Sequence, residues 1–397
     1  MLLILILMML GTVHSLQKRK VIKINSSVTN LFKRISFIFF ILLVLQINTV
    51  SAQVESEIFL EGASVTDIAK ESDYLWVVTY GQGVYRYSIK DQKWSNYSTK
   101  TGSIDTDLFY TIAVNKDYVW AGGTEGLYIL NKKTQKWSKR KFAQGGQYGN
   151  WIRALKYDAA HNVLWIGRFR NVTRLDVKRR RYVDIDRTQG KDQKSNDIKT
   201  ISFDGDSLVW LGSESGVHVL ELNKNYNDKS AWRYITNKDR GFMNEGETVS
   251  ISSILFEGNN IWFGTDEFTS SKDPGFNVGG IYIYDRKLNW QKISQIDGLA
   301  DNGIYALGRT GNYIWAGVYS FESKDNIERG RGLFLINRNT LEVTKVDLDE
   351  LKVASSSFQS FLFDGKNMWV GSGAGLLKIS ISNPLAKWQF KGRSSQG

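Results

Sequence analysis

The sequence lacks cysteine, and it has only two prolines and three histidines among its 397 residues. Without cysteine the chain can form no disulfide framework, no thiolate zinc site, no thiol nucleophile and no lipid-bearing N-terminal cysteine. The low proline content and an aromatic fraction of 13% argue against a disordered chain. Glycine and tryptophan are abundant instead, with 36 and 13 residues.

The first 52 residues are predicted to be a leader that precedes the fold. An apolar run at residues 36–45 follows the basic pair Lys33-Arg34. The sequence Val50-Ser51-Ala52 then has the small residues of a signal-peptide cleavage site. The apolar run is shorter than the ~20 residues of a membrane-spanning helix. We therefore expect a secretory signal peptide that is cleaved after Ala52 and leaves no stable membrane insertion. Because the leader is unusually long from Met1, we expect translation to start further along, at Leu31 through an alternative codon; a true long leader and a short N-terminal anchor are the alternatives.

Removal of this leader changes the charge of the chain. The formal net charge is +12, but six of the 52 basic residues and none of the 40 acidic ones lie in the leader, so the remainder carries +6. Nucleic acid is therefore not an expected partner. The basic run Lys178 to Arg181 is interpreted as a solvated outer turn rather than a binding patch.

A Trp-x-Gly signature recurs along the chain, with successive tryptophans 44 to 54 residues apart. Most copies are followed by a segment that begins with glycine and continues with apolar or aromatic residues, and then by a segment with another tryptophan. Each copy is preceded by an apolar–variable–small–apolar segment. Six complete copies and one without glycine start at Trp120, Trp165, Trp210, Trp262, Trp315, Trp369 and Trp76.

These units predict an all-β fold, a seven-bladed β-propeller of four-stranded blades at residues 53–392, with a C-terminal tail at 393–397. Each unit has four short runs of aromatic and β-branched residues between Gly, Asn and Asp turns. One such sheet cannot bury both of its faces, whereas radial stacking lets each blade pack against the next. Either Ile58-Phe59-Leu60 or the segment at Trp388 would complete the last blade.

The repeat resembles that of the two-component regulator propeller family, whose pattern continues from Gly-Leu-x-x-Asn-x-Val to Leu-Trp-Ile-Gly-Thr and Gly-Leu-x-x-Tyr. The best local match runs from Asp297-Gly298-Leu299 to Ile314-Trp315-Ala316-Gly317. The resemblance covers nearly all of the chain after the leader. It implies a periplasmic ligand-sensing propeller of the kind found in membrane histidine kinases, often sensing sugars. Because the sequence ends soon after the last blade, at Gly397, the resemblance implies a free-standing binding protein without a kinase.

The histidines are expected to be structural. His14 lies in the leader, His161 falls in a hairpin turn, and His218 occupies a packing column that other blades fill with tyrosine or phenylalanine. Ser-His and Cys-His nucleophiles are therefore excluded, and metal-assisted hydrolysis through histidine is not expected. We expect no catalytic residues, no metal and no cofactor.

One column of the innermost strands varies in chemistry while its neighbours are apolar or small. We interpret this column as a ligand-reading surface, with solvated channel positions as the equal alternative. Across blades 1 to 7 it contains Thr66, Tyr110, Arg153, Lys199, Ser252, Tyr305 and Gln359.

Blade 3 departs most from the repeat. Trp151 belongs to neither tryptophan column and begins the inner strand, while Arg168 and Arg170 replace the glycine-rich turn of other blades. Together with Arg153 they could form an aromatic face with guanidinium groups, which suits a sugar or an anionic group. The alternative is that Trp151 caps the core and the arginines are solvated.

Blades 5 and 6 have long turns at residues 265–280 and 318–332. Long adjacent loops often mark a binding edge, although they can equally be tolerated insertions. Phe268 and Tyr319 are the aromatic candidates in these turns.

These observations predict a secreted or periplasmic, non-catalytic propeller. Its partner would be a small ligand, such as an oligosaccharide or an anionic molecule, or a protein such as a membrane sensor. The alternative is a propeller lyase or glycan-active enzyme. A third interpretation is a structural interaction protein with flat mouths. The enzyme would require two carboxylates, or a carboxylate and a tyrosine, to meet in one mouth pocket. The candidate carboxylates are Glu214, Asp266, Glu267 and Glu322.

Overall fold

The structure, a computed structural model, describes residues 56–142, 146–238, 240–269, 277–322 and 324–381. The predicted leader, its cleavage site after Ala52, the C-terminal tail and Trp388 lie outside these ranges. Within them, no helix is long and apolar enough to cross a membrane.

The described chain folds almost entirely into short antiparallel strands. One α-helical turn, α1, spans Leu348–Leu351, and short 3-10 turns join some of the strands. The strands are β1 (Ser56–Phe59), β2 (Val65–Glu71), β3 (Tyr74–Thr79), β4 (Val84–Ser88), β5 (Lys93–Tyr97), β6 (Phe109–Val114), β7 (Tyr118–Gly123), β8 (Gly126–Asn131), β9 (Lys136–Arg140), β10 (Ile152–Asp158), β11 (Val163–Arg168), β12 (Val172–Asp176), β13 (Arg181–Ile185), β14 (Ile198–Asp204), β15 (Leu208–Ser213), β16 (Gly216–Glu221), β17 (Trp232–Ile235), β18 (Ile251–Glu257), β19 (Asn260–Thr265), β20 (Phe268–Thr269), β21 (Asn277–Val278), β22 (Ile281–Tyr284), β23 (Trp290–Ile293), β24 (Gly303–Thr310), β25 (Tyr313–Glu322), β26 (Ile327–Asn337), β27 (Val343–Lys345), β28 (Phe358–Phe363), β29 (Asn367–Ser372) and β30 (Gly375–Ser380).

Seven four-stranded sheets form a ring, so the predicted all-β, seven-bladed propeller is confirmed. Each blade runs outward from its innermost strand, and the inner strands of successive blades contact one another, including β2 and β28. In blade 7 the outermost strand is β1, which pairs with β30. The segment at Ile58-Phe59 therefore supplies the fourth strand of this blade and closes the ring.

The Trp-x-Gly signature reflects the packing of one blade against the next. Its seven tryptophans are 0–2% exposed, so they form the core between the blades. A Cβ atom on Gly264 would lie 2.7 Å from a methyl carbon of Ile304, the first apolar residue of the next inner strand. Gly122 and Gly167 face isoleucines in the same way. A larger residue would therefore force the blades apart.

A β-bulge interrupts every inner strand at the same place. The register shifts between Val65 and Asp67 in blade 1, and between Phe358 and Ser360 in blade 7. The five blades between them show the same shift. In each blade the residue skipped by the shift is the one in the variable column. Since a bulge re-aims a side chain relative to the ladder, this column turns toward the central channel.

The bulged strands are connected by hydrogen bonds between blades. The backbone N–H of Ile112 donates to Asp67 (2.9 Å), and that of Leu155 donates to the hydroxyl of Thr111 (3.0 Å). Side chains of one blade thereby satisfy backbone groups of the next, which fixes the inner ring that carries the variable column.

Candidate functional site

The variable column lines a channel of about 680 Å³ along the axis of the ring. At one end the channel opens into a cavity of about 420 Å³, which we call the mouth. A cavity of this size with convergent polar groups is typical of a small-ligand site. The mouth is lined by Ser64, Thr66, Tyr80, Tyr110, Trp151, Arg153, Lys199, Tyr305, Glu328 and Gln359.

An aromatic wall covers the side of the mouth formed by blades 1 to 3. Trp151 stacks on Phe169 with ring centroids 5.6 Å apart, and its other neighbour, Tyr110, lies at 5.7 Å. Tyr80 extends the row, 5.5 Å from Tyr110. Burial, and then the neighbouring Tyr80, raises the pKa of Tyr110 to about 12, so its phenol stays protonated and can donate a hydrogen bond.

The Arg153 guanidinium lies beside this wall and is already paired. It forms a 2.5 Å ion pair with Glu214 and lies 5.6 Å from the Phe169 ring. Asp197 is buried close by, where it accepts a hydrogen bond from the backbone N–H of Arg170 (3.0 Å). Burial, and then the Glu214 charge, raises the pKa of Asp197 to about 6. The charge of Arg153 is thus neutralised within the protein.

Lys199, in the inner strand of the neighbouring blade 4, is neutralised in the same way. Its ammonium forms an ion pair with Asp266 and donates to the hydroxyl of Ser250 (3.1 Å). The Asp266 carboxylate also accepts hydrogen bonds from Ser250 (2.6 Å) and from the Tyr319 phenol (3.0 Å). Burial acts to raise the pKa of Asp266, but the Lys199 charge and these hydrogen bonds outweigh it, so the pKa is lowered.

The third side of the mouth is built on the long turn of blade 6, which continues β25 and β26 as a hairpin. Tyr305 stacks on Tyr319 with ring centroids 4.4 Å apart. The hairpin is attached to blade 5, because the backbone N–H of Phe321 donates to Glu267 (2.6 Å). Its β26 side places Glu328 at the mouth. Burial, and then the charge of Glu328, raises the pKa of Tyr305 to about 12.

Six of the ten binding residues predicted from the sequence lie together in the mouth: Tyr110, Trp151, Arg153, Lys199, Tyr305 and Gln359. The other four do not line it. Arg170 has an exposed side chain on a turn with a positive φ of 69°. Phe268 is half-buried in the short β20–β21 hairpin, and Tyr319 is 4% exposed beneath Tyr305.

Arg168 is the fourth, and its side chain is fully buried rather than exposed in the mouth. It donates to Thr173 (2.9 Å) and to the carbonyl oxygen of Gly149 (2.8 Å), and it pairs with Asp184 at 2.8 Å. Burial lowers its pKa, whereas Asp184 acts to raise it. Arg168 therefore supports the chain just before Trp151 but offers no surface to a ligand.

The four carboxylates of the enzyme alternative all have partners in the fold. Glu214 pairs with Arg153, Asp266 with Lys199, and Glu322 with Arg329, while Glu267 is buried against the hairpin backbone. A carboxylate and a tyrosine do meet, at Asp266 and Tyr319. Burial, and then Asp266, raises the pKa of Tyr319 well above its ordinary value. This pair is therefore poorly suited to exchange a proton with a molecule in the mouth.

The two histidines of the propeller lie away from the mouth. His161 bonds to Asp158 at 2.8 Å in its hairpin turn. His218 is fully buried, stacks on Tyr234, and bonds through Nε2 to the carbonyl oxygen of Ser195 (2.7 Å). Among the described residues, no three His, Cys, Asp or Glu side chains are grouped so that they could hold a metal ion.

Three residues that the sequence interpretation missed contribute to the mouth, namely Ser64, Tyr80 and Glu328. Tyr80 stands within a Thr-Tyr-Gly-Gln-Gly turn, and an aromatic residue in a glycine-rich turn is a signal that could have identified it. Glu328 carries no comparable signal, because the repeat does not show how far the hairpin of blade 6 reaches toward the axis.

Solved structures with this fold include extracellular domains from B. thetaiotaomicron. That of a putative one-component system aligns with a TM-score of 0.62 and 16% identity, covering 84% of this chain and 40% of that one. That of a putative hybrid two-component system gives 0.60 and 15%, covering 83% and 39%. This chain thus spans about two fifths of their length. The similarity confirms the expected resemblance to sensor propellers at the level of the fold.

Virginiamycin B lyase from Staphylococcus aureus also aligns, with a TM-score of 0.57 and 9% identity, covering 83% of this chain and 99% of the lyase. At such identities a likeness shows the fold alone. No protein-family model matches the chain, and no curated protein matches it.

Proposed function

We propose that this protein is an exported, non-catalytic propeller that binds a small, saccharide-like ligand at its channel mouth. The observation that carries the proposal is the aromatic wall of Tyr80, Tyr110 and Trp151 beside the bulged residues of the channel. Flat ring faces suit the C–H faces of a sugar, and Gln359 and the tyrosine phenols supply hydrogen-bonding groups. A concave mouth also favours this function over a flat interaction surface.

The proposed location is the periplasm or the exterior, after cleavage at Ala52. The pattern of the leader supports it, as does the fact that two of the similar structures are extracellular domains. By analogy with those domains, a membrane sensor is the class of protein to which the propeller would report its ligand.

Binding is tested by isothermal titration with cello-, chito- and malto-oligosaccharides, after a thermal-shift screen that detects ligands by their stabilisation of the fold. We expect Trp151→Ala to weaken binding of the best saccharide at least tenfold without unfolding the ring. The reason is that the substitution removes the ring at the centre of the aromatic wall.

Trp137→Ala is the matched control. Trp137 is also half-buried, lies 5.5 Å from a tyrosine ring and has an Nε1 group without a hydrogen-bond partner among the described residues, but it lies in outer strand β9. It should lower stability to a similar extent and preserve affinity. Equal affinity of the wild type and Trp151→Ala would refute the proposed site.

A further inference from the structure

Some charged side chains at the mouth have ion-pair partners, whereas one carboxylate has none among the described residues. The two cations of the mouth, Arg153 and Lys199, are each paired with a carboxylate of the protein, Glu214 and Asp266. Glu328 lines the same cavity, yet its carboxylate has neither an ion pair nor a hydrogen bond within the part of the chain that the structure describes. With all five groups charged, their sum is −1. An anionic ligand would therefore meet no free cation among these five groups.

The hairpin fixes the position of this carboxylate. Glu328 lies opposite Phe321 in the β25–β26 ladder, and the Phe321 backbone is attached to Glu267 of blade 5. Arg329, the next residue, forms an ion pair with Glu322 across the hairpin at 2.7 Å. The carboxylate is thus held at the rim by a structured element rather than by a free loop.

The surroundings of Glu328 disfavour the charged form of its carboxylate. Although Glu328 is exposed at the rim, desolvation by its neighbours raises its pKa. The nearby Asp266 raises it further, while Lys199 and Arg153 act in the opposite direction. A ligand that brought a positive charge to this carboxylate would relieve the penalty.

The other walls of the mouth favour the same kind of ligand. Tyr80, Tyr110, Trp151 and Tyr305 line the cavity together with Glu328. Aromatic faces attract cations, most strongly where water is excluded, and a carboxylate near such faces is a common receptor for an ammonium group. The same faces suit the apolar side of a sugar ring.

We infer that the ligand of the mouth is a saccharide bearing a free amine, whose ammonium group pairs with Glu328 while its ring stacks on the aromatic wall. This inference rests on the proposed function and narrows it to amino sugars. Arg153 and Lys199 then serve to hold Glu214 and Asp266 in place rather than to bind an anion.

The test is titration of the protein at pH 7 with the tetramer of glucosamine and with the tetramer of N-acetylglucosamine, which lacks the charged amine. We expect the glucosamine tetramer to bind at least tenfold more tightly. Glu328→Gln should remove this preference by weakening the amine form at least tenfold, while binding of the acetylated form changes less than twofold.

Glu247→Gln is the matched control, because Glu247 is an exposed carboxylate that does not line the mouth, and its loss changes the net charge equally. It should leave both affinities unchanged. Equal binding of the two tetramers, or a preference that survives Glu328→Gln, would overturn the inference. If neutral saccharides bind and Trp151→Ala weakens them, the proposed function stands without the amine; if no saccharide binds the wild type, both fail.

Discussion

The chemistry that the channel and its mouth offer to a ligand is set by one side chain from each inner strand. The bulge in each inner strand turns one residue toward the axis, so seven positions of different chemistry converge on one channel. Neighbouring residues, such as Ile304 in blade 6, remain in the core between blades. A substitution at a bulge position therefore changes the channel, whereas a substitution one residue earlier changes the packing.

His218 is a fully buried residue whose chemistry differs from that of the tyrosines in its column. Tyr128 and Tyr282 occupy the equivalent positions, and their phenols donate to Asp105 and Glu245 of the preceding connections. His218 instead bonds to the backbone at Ser195. Burial lowers its pKa from 6.5 to about 4, so the folded protein strongly favours the neutral imidazole.

Acid should therefore destabilise the fold through His218. Its contribution to stability is fully present above pH 6.5, where the unfolded residue is neutral too, and it is lost as the pH falls toward 4. The slope is at most about 1.4 kcal/mol per pH unit. We expect His218→Tyr to remove this component, which is measured as the difference between wild type and variant in the free energy of unfolding by urea at pH 4 to 7.

The wild type and His218→Tyr must be compared because Asp197 has the opposite effect on the pH dependence of stability. Its pKa is raised to about 6, so its contribution increases as the pH falls below that value. His161→Gln, at the other histidine of the propeller, is the control and should retain the acid sensitivity. A His218→Tyr protein with unchanged pH dependence would contradict the prediction.

At the scale of the element, each blade is a sheet whose faces are completed by its neighbours. The glycine of the Trp-x-Gly signature, in the second strand of a blade, packs against the first apolar side chain of the next inner strand. Because glycine has no Cβ atom, the two blades can approach this closely. The β25–β26 hairpin is an elaboration of one such element. It extends a regular blade until Glu328 reaches the mouth.

The substitution Gly264→Ala tests this packing. The new Cβ would lie 2.7 Å from the Ile304 methyl carbon, so overpacking should lower the free energy of unfolding by roughly 1–3 kcal/mol. A double-mutant cycle with Ile304→Ala, which removes the opposing methyl group, should show the double variant to be less destabilised than the sum of the single changes. Strict additivity would mean that the two residues do not oppose each other.

At the scale of the whole molecule, the two ends of the described chain meet in one blade. Strand β1 precedes blade 1 in sequence, but it supplies the outer strand of blade 7 by pairing with β30. Phe59 of this strand lies 5.5 to 5.9 Å from the rings of Tyr87, Trp94 and Trp369, which belong to blades 1 and 7. Closure of the ring therefore also covers the edge of β30.

Loss of this contact should weaken the entire ring. Because Phe59 is half-buried, we expect Phe59→Ala to cost about 2 kcal/mol, below the ~3–5 kcal/mol of a fully buried phenylalanine. Differential scanning calorimetry should show one cooperative transition at a lower Tm. Phe363→Ala is the control, because Phe363 is 37% exposed; an equal shift in both variants would argue against closure by β1.

The sequence by itself determined the fold, the number of blades and the column that faces the axis. These features depend on the repeat, since the apolar–variable–small–apolar strand occurs seven times and Trp-x-Gly six times, with a seventh copy that lacks the glycine. Six of the ten candidate site residues follow from that rule and from the exceptional Trp151. Only the tertiary structure decided which charges pair, that Arg168 is buried, and that Glu328 reaches the mouth. The physical reason is that Arg153 pairs with Glu214, and Lys199 with Asp266, across more than sixty residues of sequence, so these pairs form only when adjacent blades pack against each other.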